Sequence, residues 1–180
     1  MQYLVAAIDD PAREQIDDIA GEIVAVTGKK ALARTRRPHI VLQAAERYAE
    51  GIFAALDRIA AATQPFDVMA GRIGVFRAQT DVVAIEVIRS PQLDRLHDDL
   101  WRATTPLADR RKDVYAPATW APHVAIATGE LSDDEIALVQ TLLARRPPVE
   151  RIAVTNVCLV PHDRAYEWRR FDFVARSLRS

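Results

Sequence analysis

The sequence predicts an α+β fold built as an internal duplication, with antiparallel sheets flanked by helices and a central cleft between two lobes. Three observations predict this class. Helix-period apolar stripes alternate with strand-length apolar runs. A proline–histidine pair begins an apolar strand run twice, at His39 and His123, and the elements around these two histidines recur in one order, about 84 positions apart. Two copies favour a pseudo-two-fold pair of lobes, because a solenoid needs about three or more repeats.

The first half of the chain has the order strand, helix, strand, helix, strand, strand. The first helix is predicted to follow Asp10, its N-cap, with Pro11 in the first turn and Gly28 at its end. An apolar stripe from Tyr48 to Ile59 predicts the second helix. Strands are predicted at residues 3–8, 38–43, 67–76 and 82–88, the last two joined as a hairpin through a polar turn at 77–81.

The second half repeats that order. Ser90 with Pro91 opens one helix, and a capping box of Ser132 with Glu135 opens another. Strands are predicted at residues 122–127, 151–160 and 165–174. We therefore expect a single domain over residues 1–180 with lobes at roughly 1–90 and 91–180, a pattern that is compatible with strands exchanged between the lobes. The loop at 103–121 is long enough to indicate a functional role.

The two histidines are predicted to face one cleft. Side chains alternate along a strand, so His39, Val41 and Gln43 share one face, as do His123 and Ala125. The apolar residues between them then face the lobe cores. A lone histidine on a strand is more often structural, but two at matching positions of a repeat indicate a shared site.

Paired imidazoles suit acid–base chemistry at a phosphodiester. A neutral ring removes a proton from the attacking hydroxyl or water, and a protonated ring donates one to the leaving oxygen. Histidine serves both roles because its unperturbed pKa of about 6.5 lies close to working pH.

The repeated motif resembles the signature of a known family. Proline, histidine, a hydrophobic residue, Ser or Thr and another hydrophobic residue occur twice, about 80 residues apart, in the two-histidine (2H) phosphoesterases, which include 2′-5′ RNA ligase-like proteins and cyclic phosphodiesterases. The resemblance covers nearly the whole chain, including the opening strand and the segments FDVMAGRIGVFRAQTDVVAIEVIRSPQLDRLHDDL and WAPHVAIA. It implies a two-lobed fold, catalysis by His39 and His123, and a cleft that binds an RNA end, a cyclic nucleotide or another small phosphodiester.

The sequence departs from the family where a hydroxyl is expected. Val41 and Ala125 occupy the Ser or Thr positions of the two motifs. The family hydroxyls would donate hydrogen bonds to phosphoryl oxygens, and loss of one such donor typically costs about a hundredfold to a thousandfold in rate. Thr128 ends the second strand, but strict alternation places it on the opposite face.

Other residues are candidates for contacts with the substrate. Arg36 and Arg37 precede His39 and can supply cationic donors, within a basic stretch from 29 to 37 that is otherwise interpreted as a solvated loop. Gln43 lies one further step along the predicted cleft face. Tyr115 and Trp120, in the long loop, can stack on a base. Rim or packing roles are the alternative for these last three.

Several features exclude other classes of protein. The net charge of −1 and 49% hydrophobic content favour a packed domain over a disordered or strongly basic one, and no segment is predicted to span or associate with a membrane. The single Cys158 forms no disulfide framework, and the four histidines lack metal-ligand spacing, so no metal and no cofactor are predicted. We expect a cytoplasmic protein. Gly71 and Gly74 are predicted to mark a bulge or a close backbone approach. His97 is predicted to lie within a helix, next to its inward-facing stripe, at the boundary between core and surface.

Two functions from different classes compete, and a third possibility is an enzyme with altered chemistry on a non-nucleotide phosphodiester. The first is a metal-independent hydrolase that acts, weakly, on a 2′,3′-cyclic phosphate or a 2′-5′ phosphodiester of RNA or a nucleotide. The second is a catalytically degenerate nucleotide- or RNA-binding module that uses the same cleft. The apolar Val41 and Ala125 favour the binding module, whereas both histidines and the nearby arginines favour the enzyme.

Overall fold

Four helices and a large antiparallel sheet make up the protein, in a computed structural model that describes residues 1–28, 33–34 (backbone only), 37–76, 81–146, 149–161 and 168–175. The helices are α1 (Ala12–Thr27), α2 (Ile52–Ala62), α3 (Pro91–Thr104) and α4 (Asp133–Ala144). The strands are β1 (Gln2–Ala7), β2 (Ala33–Arg34), β3 (His39–Ala45), β4 (Arg47–Tyr48), β5 (Phe66–Phe76), β6 (Asp81–Val87), β7 (Ala108–Asp109), β8 (His123–Gly129), β9 (Arg151–Val154), β10 (Asn156–Pro161) and β11 (Arg169–Asp172). The predicted α+β class is confirmed.

The two histidine strands lie side by side at the centre of the sheet. Among the described residues, nine strands form one sheet in the order β11-β10-β1-β3-β8-β6-β5-β9, with β2 also paired to β8, and β4 and β7 form a separate ribbon. All the pairs are antiparallel. The centre of the sheet is therefore the junction of β3 with β8, where both histidine motifs meet.

Each half of the sheet takes strands from both halves of the chain. The C-terminal β10 and β11 extend the β1–β3 side, whereas β5 and β6 extend the β8 side. The predicted strand at 151–160 is interrupted at Thr155, and its two parts pair with β5 and with β1 in opposite halves of the sheet. Apolar periodicity indicates a strand but carries no information about its partner.

Helices cover only one face of the sheet. Helices α1 and α4 pack together over β8, β9 and β5, while α2 and α3 pack together over β3, β10 and β11. Buried aliphatic side chains from the sheet and helices form the main core, among them Leu4, Ile16, Ile19, Ile40, Leu56, Leu93, Val124 and Ile126. None of the helices among the described residues is long and apolar enough to cross a bilayer.

The helix ends agree with those predicted from the sequence, except at the starts of α1 and α2. Ser132 forms the predicted capping box, and Gly28 ends α1 with a left-handed φ of 65°. Asp10 does not cap α1 as predicted, because its carboxylate pairs with Arg13 at 2.8 Å and the cap position falls one residue later. Tyr48 precedes α2 rather than belonging to it, since it pairs in the short ribbon β4–β7.

A β-bulge in the first histidine strand changes the face of every residue after it. Leu4 of β1 is opposite Gln43, but the next residue, Val5, is opposite Val41, so Leu42 is the extra residue on β3. Gln43 therefore lies on the helix-covered face, where it is only 1% exposed. The expectation that Gln43 shares the face of His39 is wrong, because alternation holds only in an unbroken strand.

The second histidine strand carries a bulge at the matching position. Val83 of β6 is opposite Ala127 and Ala84 is opposite Ala125, which leaves Ile126 as the extra residue on β8. Thr128 then pairs with Val82 and lies on the face of Ala125. The opposite face predicted for Thr128 is therefore wrong, for the same reason.

Replacing Thr104 by Val is expected to destabilise the protein. The Gln43 side-chain oxygen accepts from the Tyr48 hydroxyl at 3.0 Å and contacts the Thr104 hydroxyl, which is fully buried. Thr104→Val keeps the shape and removes this hydroxyl, so urea denaturation should show a loss of about 1–3 kcal/mol in the free energy of unfolding.

Thr141→Val is the matched control. The Thr141 hydroxyl is exposed and donates to a carbonyl four residues earlier, as the Thr104 hydroxyl also does. Its loss should change the free energy of unfolding by less than about 0.5 kcal/mol. Equal losses in the two variants would show that the contact with Gln43 contributes nothing.

Candidate active site

The face of the sheet opposite the helices, called the cleft face here, carries both histidines. A small apolar cluster of Val5, Ala7, Cys158 and Val160 forms the β1–β10 part of this face. Along β3 and β8, partly exposed residues alternate with residues that are buried in the main core. The cleft face is thus a shallow floor of small apolar side chains, from which polar groups project at defined positions.

Two rows of cross-strand neighbours define these positions. The pairing of Ile40 with Val124, continued by one residue in each direction, sets His39 opposite Ala125 and His123 opposite Val41. The row through His123 consists, from β11 to β6, of Arg170, Cys158, Val5, Val41, His123 and Glu86. The row through His39 consists, from β1 to β5, of Ala7, His39, Ala125, Ala84 and Gly74.

The two histidines are therefore diagonal neighbours on adjacent strands. Diagonal pairs across antiparallel strands are typically about 7–8 Å apart, close enough for both rings to reach a single phosphate between them. The electrostatic effect of His123 on the ionisation of His39 agrees with this proximity.

Both imidazoles are oriented in the same way. The Nδ1 of His39 lies 2.7 Å from the carbonyl oxygen of Arg37, and the Nδ1 of His123 lies 2.9 Å from that of Ala121. A carbonyl only accepts, so each Nδ1 carries the proton and donates it. In the neutral ring the Nε2 atom is then left as the hydrogen-bond acceptor. This arrangement suits proton transfer at Nε2 of each histidine.

The environments of the two rings differ. His39 is half-buried, and its ring edge packs against Trp168 with centroids 5.4 Å apart. Removal from water lowers the pKa of His39 below its usual value, the hydrogen bond to Arg37 partly opposes this, and the charge of His123 lowers it further. His39 is therefore neutral at pH 7, whereas His123 is exposed to water.

The motif positions without hydroxyls form the floor between the rings. Val41 and Ala125 are both partly exposed on the cleft face, directly opposite the two histidines. Their side chains offer no hydrogen-bond donor to a phosphoryl oxygen. The arrangement consequently supplies an acid–base pair over an apolar floor.

One of the two predicted arginines lies near His39. The exposed guanidinium of Arg37 is 5.5 Å from the ring centre of Trp168, the residue that also packs against His39. Its positive charge, with that of Arg170, acts on the buried Cys158 thiol of the cleft face. Arg36 lies outside the described residues. A positive charge is thus present on the His39 side, where a phosphate would need it.

Tyr115 and Trp120 lie beside His123 rather than between the histidines. Both line a cavity of about 610 Å³ that opens next to His123. Trp120 is only 4% exposed, and its indole N–H donates to the carbonyl of Val41 at 2.9 Å. One face of its ring stacks on His97, so Trp120 has at most one face to offer a ligand.

His97 is a supporting residue that sequence reasoning did not identify. It lies in α3 as predicted, but it is fully buried rather than at the boundary between core and surface, and it stacks on Trp120 with ring centres 3.9 Å apart. Its Nε2 donates to the carbonyl of Leu42 at 3.0 Å, while Trp120 donates to the preceding carbonyl. Two stacked rings from the second half of the chain thus hold the bulge that follows His39.

A buried amide fixes the neighbouring strand. The side chain of Asn156 accepts from the backbone N–H of Ala7 at 3.0 Å and donates to the carbonyl of Ala7 at 2.9 Å, and Ala7 is the strand partner of His39. Asn156 is fully buried. An asparagine at the start of an apolar strand was the available signal for this role, because a buried amide must find partners.

The predicted glycine bulge is present on β5. The register between β5 and β6 shifts between Ala70 and Ile73, and a Cβ atom on Gly71 would lie only 3.0–3.2 Å from side-chain atoms of Glu86. Glycine at this position leaves room for the Glu86 side chain. The carboxylate of Glu86 is thereby placed on the strand next to His123, beside Arg72 at 4.0 Å.

A metal site is not formed by the described residues, among which no three His, Cys, Asp or Glu side chains lie together. Metal-independent chemistry stays a prediction. Burial raises the pKa of the Cys158 thiol to about 11, so this cysteine is protonated at neutral pH and is a poor nucleophile.

A curled antiparallel sheet with two proline–histidine strands paired at its centre defines a protein of the two-histidine phosphoesterase class. The sequence profile of the 2′-5′ RNA ligase superfamily matches residues 8–165, and the chain belongs to that superfamily. The predicted resemblance is confirmed. Sequence comparison finds no match among curated proteins.

Solved structures share the fold over nearly their whole length. The chain is similar to TT0787 of Thermus thermophilus, with a TM-score of 0.63 and 15% identity over 98% of this chain and 99% of that one. It is similar to Usb1 of Kluyveromyces marxianus (TM-score 0.56, 12% identity, 96% and 97% covered). It is also similar to E. coli LigT complexed with NADP⁺ (TM-score 0.54, 17% identity, 96% of each chain covered).

Removing the Trp168 ring should raise the pKa of His39. The lowered pKa arises mainly from exclusion of water, so the wild-type ring should titrate below its ordinary value of about 6.5 in an NMR pH titration. In Trp168→Ala water reaches the imidazole, and the midpoint should move up towards that value. Trp101→Ala, on α3 away from the cleft face, should leave the midpoint unchanged. An unchanged midpoint in Trp168→Ala would contradict this explanation of the lowered pKa.

Proposed function

We propose that this protein cleaves phosphodiesters of RNA ends or nucleotides, at a 2′-5′ linkage or a 2′,3′-cyclic phosphate, without a metal. The observation that carries the proposal is that His39 and His123 lie on adjacent strands as diagonal neighbours, each with its Nδ1 on a backbone carbonyl so that Nε2 is left for proton transfer. Two proton-transfer groups on either side of a phosphate are what this reaction requires.

The different environments assign a role to each histidine. In cleavage of a 2′-5′ linkage, His39 is neutral and its Nε2 removes the proton of the neighbouring 3′-hydroxyl. The 3′-oxygen attacks phosphorus, and the bond from phosphorus to the 5′-oxygen breaks. His123 donates its Nε2 proton to that leaving oxygen, so the products are a 2′,3′-cyclic phosphate and an alcohol. Hydrolysis of the cyclic phosphate is the reverse process with water in place of the alcohol, and the histidines exchange roles.

Nucleotides in related structures support the choice of substrate. Usb1 of Kluyveromyces marxianus is known with uridine monophosphate, at a TM-score of 0.54 to this chain and 9% identity. E. coli LigT is known with 3′-AMP, at a TM-score of 0.51 and 18% identity. The exposed Arg37 near His39 gives the cleft a positive charge for an anionic ligand. The alternative of a binding module is favoured by one observation, the absence of a hydroxyl at Val41 and Ala125.

Hydrolysis of 2′,3′-cyclic AMP in EDTA tests the proposal. His39→Ala and His123→Ala should each reduce kcat by about a hundredfold to ten-thousandfold, because each variant lacks one proton-transfer group. Both variants should keep the wild-type thermal unfolding midpoint, since neither ring is part of the main core. Wild-type turnover that equals that of both variants would mean that the cleft binds without catalysis.

Restoring the motif hydroxyls should accelerate this reaction. Val41→Thr is nearly isosteric, and Ala125→Ser adds one oxygen on the partly exposed cleft face, so neither change buries an unpaired polar group. Each hydroxyl should raise kcat by about tenfold or more, because it donates to a phosphoryl oxygen where charge develops. The gain should disappear when His39→Ala or His123→Ala is added. A stable double variant without any gain would contradict the proposed position of the phosphate.

A further inference from the structure

The cavity beside His123 is lined by this histidine and not by His39. It is bounded by the β5–β6 hairpin and by the loop that precedes His123. Its volume of about 610 Å³ is in the range of small-molecule sites. A phosphodiester held between the histidines therefore has one of its two ester groups next to this cavity.

The proton-transfer roles decide which ester group that is. This step rests on the proposed function, in which His123 gives its proton to the leaving oxygen. The oxygen that receives this proton must lie within hydrogen-bond distance of the ring of His123. The alcohol attached to this oxygen consequently extends into the cavity, while the sugar that supplies the nucleophile remains near His39.

The described part of the cavity wall is mostly hydrocarbon. Six side chains contribute this apolar surface: Ile73, Val75, Phe76, Val82, Val114 and Tyr115. Two of them lie exposed at the rim of the cavity, Phe76 by 52% and Val114 by 65%. Exposed large apolar side chains around a cavity are typical of a site for an apolar ligand.

Two polar groups of this wall already have partners within the protein. Thr119 donates its hydroxyl to the carbonyl of Asp113 at 2.8 Å, and the Trp120 N–H donates to Val41. Arg72 and Glu86 lie 4.0 Å apart and are 95% and 53% exposed, so both charges face water at the edge of the cavity. A nucleobase edge placed here would compete with these contacts, whereas an aryl or alkyl group would leave them intact.

The geometry points to a phosphodiester whose leaving alcohol is apolar, an aryl or alkyl group that occupies the cavity beside His123. The preferred substrate of the proposed enzyme is then a nucleotide joined through phosphate to an apolar alcohol, ahead of a 2′-5′ link between two nucleosides.

Gly74 offers a direct way to fill the cavity. It lines the wall in the row of His39 and Ala84, and a Cβ atom added to it meets no other atom within 4 Å. A leucine side chain at this position would extend into the open space. Gly21 on α1 also has nothing within 4 Å of an added Cβ, so Gly21→Leu adds the same side chain away from the cavity.

The experiment compares adenosine 2′-(benzyl phosphate) with adenosine 2′-(methyl phosphate), whose leaving alcohols have nearly the same acidity. Release of adenosine 2′,3′-cyclic phosphate is measured by chromatography. Wild-type kcat/KM should be about 10- to 100-fold higher for the benzyl ester, because the ring is buried in the cavity. In Gly74→Leu this ratio should fall towards one, because the leucine side chain occupies the space of the benzyl ring. Gly21→Leu should keep the wild-type ratio.

Other outcomes overturn the inference in distinguishable ways. Cleavage of both esters at equal kcat/KM would overturn the apolar-alcohol assignment and leave the proposed function intact. A 2′-5′-linked diadenosine cleaved in preference to the benzyl ester, with the preference lost in Gly74→Leu, would identify the cavity as a nucleoside site. Cleavage of neither ester by a protein that hydrolyses 2′,3′-cyclic AMP would overturn the inference alone, whereas no reaction with any of these three compounds would overturn the proposed function.

Discussion

The pairing of β3 with β8 is the constraint on which the site depends. Ile40 opposite Val124 sets the register of the two central strands, and this register alone places His39 and His123 as diagonal neighbours on one face. A slip by one residue would turn one histidine into the core and its apolar neighbour towards water. The buried Ile40 and Val124 resist such a slip, because both are fully inaccessible in the main core. The packing of Ile40 and Val124 in the core therefore also fixes the relative position of the two histidines.

Bulges on both central strands shift the alternation of faces just beyond the histidine motifs. Leu42 and Ile126 are the extra residues, so the residues that follow them, Gln43 and Ala127, are buried on the helix side. A bulge leaves carbonyl groups without regular ladder partners, and these must be satisfied. On β3 the stacked rings of His97 and Trp120 donate to them. Trp120 of the long loop and His97 of α3, both from the second half of the chain, thus stabilise β3, which carries His39.

Much of this site could be predicted from local sequence. The two proline–histidine strands, the capping box at Ser132 and the bulge at Gly71 each have a short-range signature, so they were found without knowledge of the fold. The prediction that Gln43 faces the cleft was wrong because a bulge has no clear sequence signal in an apolar strand. The partners of the strands on either side of Thr155 were not predictable either, since pairing depends on which edges are free after the sheet assembles.

The difference between the two histidines depends on residues that are distant in sequence. Trp168 reaches His39 from the segment before β11, and the cavity beside His123 is enclosed by a hairpin and a loop about 40 residues apart. Neither contact has a local signature, and both follow from the exchange of strands between the halves of the sheet. The same exchange makes one ring half-buried and leaves the other exposed, and this difference distinguishes proton acceptor from proton donor in the proposed reaction.

The most direct test of the central claim is an NMR titration of the histidine ring protons with 2′-AMP. If one phosphate lies between Nε2 of His39 and Nε2 of His123, the resonances of both rings should shift with one common Kd, while the buried His97 should not respond. Shifts of only one of these two rings, or of both with different Kd values, would show that the histidines do not share a phosphate and would contradict the account.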